Sequence, residues 1–222
     1  MMNKRISALI LSCMVAFSIT GCSKKEEAQI EDTNKKEVAI ELPGTWATDF
    51  SREEVQEFYK SGLERVESAV RFYGLNDIYE VVEDEITTEG DISVNNSYIY
   101  LDIENPEANR LESMYYGFKQ FGSNLASGQL SMKLSMNLDK QVYITNGNFK
   151  FEETSLAKFS EAFTNVVGRD YTAINEAIFN IINGTSQENT IETNLDGIKE
   201  TISIVDDFII YRLETKEYIF NK

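Results

Sequence analysis

Along residues 51–73 the apolar positions Val55, Phe58, Tyr59, Val66, Ala69, Val70 and Tyr73 recur at the spacing of one helix face. The segment is therefore expected to be an amphipathic helix lying on a core. Ser51, with Glu54 three residues later, supplies a capping box at its start, and Gly74 a stop at its end. Glu53, Glu57, Glu64, Glu67 and Arg71 fall largely on the wet side, where Glu67 and Arg71 have i, i+4 spacing. The same period predicts a second helix from Asn105-Pro106 to Phe121, through Leu111, Met114, Tyr115 and Phe118. Two more are predicted over 156–167 and 171–182, closed by Gly168 and by Asn183-Gly184.

Between these helices the period drops to two. Ile99, Leu101 and Ile103 alternate with polar or tyrosine neighbours, and Leu130, Met132, Leu134, Met136 and Leu138 alternate with Ser131, Lys133, Ser135, Asn137 and Asp139. Both read as half-buried strands. Asn146-Gly147 then predicts a hairpin that sets Ile144 opposite Phe149 and Val142 opposite Phe151. Nearer the C-terminus, turns at Asp196-Gly197 and Asp206-Asp207 set Leu195 opposite Ile198, Ile191 opposite Ile202 and Val205 opposite Phe208, with strand continuing through Leu213. The expected fold class is α+β: about four helices packed on largely antiparallel sheet made of two three-stranded meanders, forming one domain over 42–222.

Ahead of this domain, Lys4 and Arg5 precede a mostly apolar run over 6–20 that ends in Ile19-Thr20-Gly21-Cys22. Basic start, apolar middle and small residues are the layout of an export signal, and the run is shorter than the about 20 residues a membrane span needs. The tetrapeptide resembles the lipobox of bacterial lipoproteins. That resemblance implies that residues 1–21 are a signal peptide cleaved before Cys22, and that the Cys22 thiol carries a diacylglycerol. It also implies a chain anchored by acyl groups and facing outside the cytoplasm. Ser23 stands where inner-membrane lipoproteins carry Asp, which implies the outer membrane in a two-membrane cell. Residues 22–41, charged and without period, are expected to be a flexible tether. Leu42-Pro43-Gly44-Thr45-Trp46 then marks the entrance to the folded part, with Trp46 its first core residue.

Composition narrows the chemistry further. Cleavage removes Lys4 and Arg5 and leaves 19 basic against 37 acidic side chains, a net charge of 19 − 37 = −18. Such a surface repels phosphate backbones and anionic headgroups, so nucleic acid is not an expected partner and membrane attachment falls to the acyl chains. The chain has no histidine, Cys13 leaves with the signal, and Cys22 is the lipidation site. Disulfides, zinc sites built on His or Cys, thiol nucleophiles and Ser-His-Asp triads are thereby excluded from the mature protein.

Carboxylates, hydroxyls, lysines and tyrosines are left. Glu80, Glu83, Asp84, Glu85, Glu89 and Asp91 form the densest acidic stretch, but its spacing is not that of an EF-hand and it reads as a solvated face. Ser131 and Lys133 share a strand face, which the alternation makes the solvent face. Tyr98, Tyr100, Tyr115 and Tyr116 gather around one strand and the predicted second helix. Either that strand is sandwiched between layers, or the tyrosines form an exposed patch that binds a partner. The expectation is a non-catalytic, lipid-anchored binding or assembly module, without metal or cofactor, whose partner is an envelope protein or cell-wall ligand. The alternatives are a two-carboxylate hydrolase of cell-wall glycan and a carrier of a lipid or small apolar ligand.

Overall fold

The computed structural model describes residues 42–220. The expected export signal, the expected lipidation site Cys22 and the expected tether lie outside them. Helix α1 (Arg52–Phe72) starts with the capping box: Glu54 N–H donates to Ser51 Oγ at 3.2 Å, and Ser51 N–H to the Glu54 carboxylate at 2.7 Å. Val55, Tyr59, Val66, Ala69 and Val70 are buried, as their spacing requires. Two further helices, α3 (Ser155–Thr164) and α4 (Thr172–Ile182), fall where the pattern predicts them. Helix α3 stops at Asn165, in left-handed conformation, and not at Gly168.

One continuous antiparallel sheet replaces the two three-stranded meanders. Strands β1 (Tyr79–Glu89), β2 (Ile92–Asp102), β3 (Leu111–Phe121) and β4 (Ser127–Asn137) form an up-and-down array. After the helices the chain returns as β5 (Thr190–Leu195), β6 (Ile198–Val205) and β7 (Phe208–Glu214), and β7 pairs with β4. The spatial order is β1-β2-β3-β4-β7-β6-β5, with β8 (Tyr218–Ile219) continuing alongside the start of β4. Between β7 and β8 the Thr215 hydroxyl accepts from Leu130 N–H at 3.1 Å, so this donor of β4 stays paired across the break.

Two predicted elements are corrected. The helix expected over 105–121 is strand β3: Met114, Tyr116 and Phe118 are buried on one face, while Tyr115 and Phe121 project from the other. Large residues on both faces mask a period of two and imitate a period of 3.6. The hairpin at Asn146-Gly147 is instead the end of helix α2 (Lys140–Asn146). Asp139 caps this helix by accepting from Gln141 N–H at 3.0 Å, and Gly147 (φ 71°) closes it in the left-handed conformation that only glycine adopts freely. Val142 and Ile144, expected to pair inward with Phe151 and Phe149, are 42% and 41% exposed. The C-terminal registers stand as read: Leu195 faces Ile198, Ile191 faces Ile202, and Val205 faces Phe208.

The helices lie on the face carrying Tyr116, Leu134, Ile202 and Tyr211, with α1 and α3 over β3 and β4 and α4 over β6. Trp46 sits in a short 3-10 turn (Thr45–Ala47) and enters this core against Phe58 and Phe163. The turn is fixed to the β5–β6 hairpin. Thr45 N–H donates to the Asp196 carboxylate and Trp46 N–H to the Asp196 carbonyl, both at 2.9 Å, while Asn194 donates to the Pro43 carbonyl at 2.6 Å. Among the described residues no helix is long and apolar enough to cross a membrane.

Candidate functional site

Tyr115 and Tyr116 are neighbours in sequence, and strand pleating sends them to opposite sides of the sheet. Tyr116 is fully buried under α1, where its hydroxyl donates to the Tyr59 carbonyl at 3.2 Å. Gly62 of α1 makes this possible, because a methyl group there would overlap the phenol. Tyr115 joins Tyr98 and Tyr100 on the opposite face, with ring centroids 5.4 Å apart for Tyr98–Tyr115 and 5.8 Å for Tyr98–Tyr100. Gly117 is the counterpart of Gly62: it faces Tyr98 across the strands, and the Tyr115 phenol lies over it in the space a side chain would take. Three of the four tyrosines singled out in the sequence therefore form one surface, and Tyr116 belongs to the core.

Each phenol of that surface is oriented by a hydrogen bond. Tyr98 donates to Glu85 at 2.9 Å, Tyr100 to Glu80 at 2.7 Å and Tyr115 to Asn96 at 3.0 Å. Burial and the Glu85 carboxylate push the Tyr98 phenol up to about 12. Burial likewise pushes Tyr115 up to about 12, against the opposing pull of its bond to Asn96. For Tyr100 the leading cause of the upward shift is the bond to Glu80. All three are neutral donors at any physiological pH. Continuing across the sheet on this face come Ser131 and Lys133 of β4, then Glu214 and Arg212 of β7. Lys133, Arg212 and Glu214 are exposed, so among the described residues no helix covers this side.

The acidic stretch turns out to be the edge strand β1 and its turn. A bulge between Val82 and Glu85 places Asp84 in left-handed backbone, where Asp84 N–H donates to Ser97 and its carboxylate accepts from Asn95. Glu89 meets Lys119 at 2.6 Å. Charge and a bulge on an outer strand discourage pairing with a further strand. Among the described residues no three acidic side chains converge as a metal site.

Two features were not legible in the sequence. The first is a buried ionic cluster on the helix-covered face. Glu200 of β6, with no exposed surface, accepts from both Arg169 guanidinium nitrogens at 2.6 Å, from the Tyr211 hydroxyl at 2.6 Å, and from Thr193. Burial opposes ionisation of Glu200, yet the Arg169, Thr193 and Tyr211 bonds together hold its carboxyl below the usual range. Tyr211 is pushed well above its ordinary value by burial and by Glu200; its one proton goes to Glu200, so its oxygen accepts from the Ser160 hydroxyl of α3 at 3.0 Å. Every acceptor position of the carboxylate is occupied, which makes the cluster a fastener between strands and helices. Alternation places Glu200 among the inward residues of β6, but Arg169 lies in a loop that no periodicity locates.

The second is a cleft of about 940 Å³ at the end of the sheet where β4 finishes. It opens between the C-terminal end of α1, the β2–β3 connection and the segment from α2 to α3. Tyr73, Leu75, Ile103 and Tyr143 are half-buried and form its floor. Asn105, Asn146 and Asn148 stand exposed around it. The β2–β3 connection is held by Asp139 N–H donating to Asn109 at 2.9 Å and Asn137 N–H to the Arg110 carbonyl at 3.0 Å. Misreading β3 as helix hid this cleft, since its wall is the loop that the helix would have absorbed.

Comparison with protein-family models, with curated proteins and with solved structures finds no match. Function therefore has to be argued from these surfaces.

Proposed function

We propose that the protein is a lipid-anchored extracytoplasmic binding module, non-catalytic, that meets an envelope partner through the tyrosine-bearing face of its sheet. The carrying observation is that Tyr98, Tyr100 and Tyr115 stand together on the side no described helix covers. Tyrosine gives large contact area at low entropic cost, and phenols already fixed by Glu85, Glu80 and Asn96 lose little freedom on binding. The lipobox resemblance at Ile19 to Cys22 supplies the anchor in this reading.

Crosslinking in intact cells, comparing the wild-type chain with Tyr98→Ala and Tyr100→Ala, tests the partner surface. The expected result is a discrete crosslinked species that both substitutions remove while the domain's circular dichroism is unchanged. An identical crosslinking pattern in all three proteins would refute the tyrosine face. Cys22→Ala tests the anchor separately and is expected to move the protein from the membrane fraction to the soluble one.

A further inference from the structure

We infer that the cleft beside α2 is a binding site for a neutral oligosaccharide. The inference deepens the binding-module reading by naming a ligand class and a second surface, and it rests on that reading only for the absence of turnover. Three properties of the cleft point the same way.

The first is charge. The chain as a whole carries a net charge of −16, yet the charged groups around the cleft are balanced and already engaged with one another. Lys150 meets Glu153 at 2.6 Å, and Arg110 meets Glu107 at 3.9 Å. No uncompensated charge is left to attract an ion, which disfavours phosphate, carboxylate and cation ligands alike.

The second is hydrogen-bonding capacity. Asn105, Asn146 and Asn148 are exposed, and none of these carboxamides makes a hydrogen bond to another described residue. A carboxamide offers donors and acceptors together, and so does a sugar hydroxyl. An anion would need donors alone, and a metal ion acceptors alone.

The third is the floor. Half-buried Tyr73 and Tyr143 present ring surface inside a ring of amides, and the Tyr143 ring is held 4.8 Å from that of Phe149. Hexose rings have apolar C–H faces edged by hydroxyls, so aromatic surface below and amides at the rim match both parts of the ligand. The volume of about 940 Å³ lies near the top of the roughly 300–1,000 Å³ range of ligand sites and accommodates more than one sugar unit.

Calorimetric titration of the full-length protein with two neutral tetrasaccharides, tetra-N-acetylchitotetraose and maltotetraose, tests the site, with tetragalacturonate as the anionic control. Saturation binding of at least one neutral probe is expected, with the anionic probe weaker. Loss of two amides in Asn146→Ala/Asn148→Ala is expected to weaken binding by about tenfold or more, given about 1 kcal/mol per hydrogen bond. These positions are exposed, so folding should be unchanged; Tyr143→Ala is the second variant and needs its thermal midpoint checked alongside. Failure of both neutral probes, equal affinity in the double variant, or preference for tetragalacturonate would each overturn the assignment. The two proposals fail separately. A tyrosine-dependent partner without tetrasaccharide binding removes only the glycan site, whereas cleavage of a bound tetrasaccharide would uphold the site and overturn the non-catalytic reading.

Discussion

On β6, Glu200 is buried beneath the helices and accepts from Arg169, Tyr211 and Thr193, whereas on β1 Glu80, Glu85 and Glu89 stand at the sheet's edge with a single cross-strand partner each. Both strands use carboxylates, but the surroundings give the charges different work. Out of water, Glu200 is tolerable only because all its acceptor positions are filled, so losing one partner strands a buried charge. At the edge, water replaces any lost partner, and the acidic groups serve mainly to keep other strands away. Position in the sheet, not residue type, sets the energetic weight of a glutamate here.

The contrast is broken most severely by Arg169→Ala, which leaves Glu200 buried without its counter-ion. A loss of about 3–5 kcal/mol in urea unfolding is expected, and a double replacement of Arg169 and Glu200 by apolar residues should recover much of it. The next effect is on pH dependence. The carboxyl of Glu200 titrates lower in the folded protein than in the unfolded chain. Its contribution is therefore fully present above the unfolded value near 4.5 and is lost as pH falls through the lower folded value. Thermal midpoints measured from about pH 7 down to 2 should fall more steeply below about 4.5 in the wild type than in Glu200→Gln. If the two curves stay parallel, the carboxylate is not the acid-sensitive fastener.

Smaller effects are expected at the edge. Tyr98→Phe removes the bond to Glu85 and should cost no more than about 1 kcal/mol, because solvent takes the place of the phenol. It should also simplify the high-pH end of a spectrophotometric tyrosine titration, where the wild-type phenol is expected near 12. Lys119→Ala, which frees Glu89, should change stability least, by about 0.2–1 kcal/mol, and added salt should shrink even that. An edge substitution costing as much as Arg169→Ala would erase the distinction between the two flanks.

How much of this was legible in the sequence depended on whether one face of each element was plainly polar. Helix α1 and strand β4 alternate cleanly between core and solvent residues, and both were found with their boundaries nearly right. The β5–β6–β7 registers followed from turn residues set between alternating strands. Strand β3 failed because Tyr115 and Phe121 make its outer face as bulky as its inner one. Helix α2 failed because Asn-Gly closes a helix as readily as it turns a hairpin, and two β-branched residues, Val142 and Ile144, lie exposed in it. Pairing of β4 with β7 joins residues about eighty positions apart, beyond the reach of any local signal. The tyrosine cluster was visible as composition, but assigning Tyr116 to the core required knowing that 111–121 is a strand.

The fastening of the Gly44–Trp46 segment to the β5–β6 hairpin also has a mechanical side. Tension drawn through residue 42 enters the domain at Asp196 and Asn194, at the end of the sheet remote from the asparagine-lined cleft. Strands β3 and β4, of 11 residues each, separate the two ends by roughly 35 Å. Force arriving there meets two backbone donors on Asp196 in the β5–β6 turn, the Asn194 side chain of β5 on the Pro43 carbonyl, and the Tyr218 hydroxyl of β8 on the Trp46 carbonyl. A pull on the proposed lipid anchor would thus load one pole of the sheet, away from the cleft at the other.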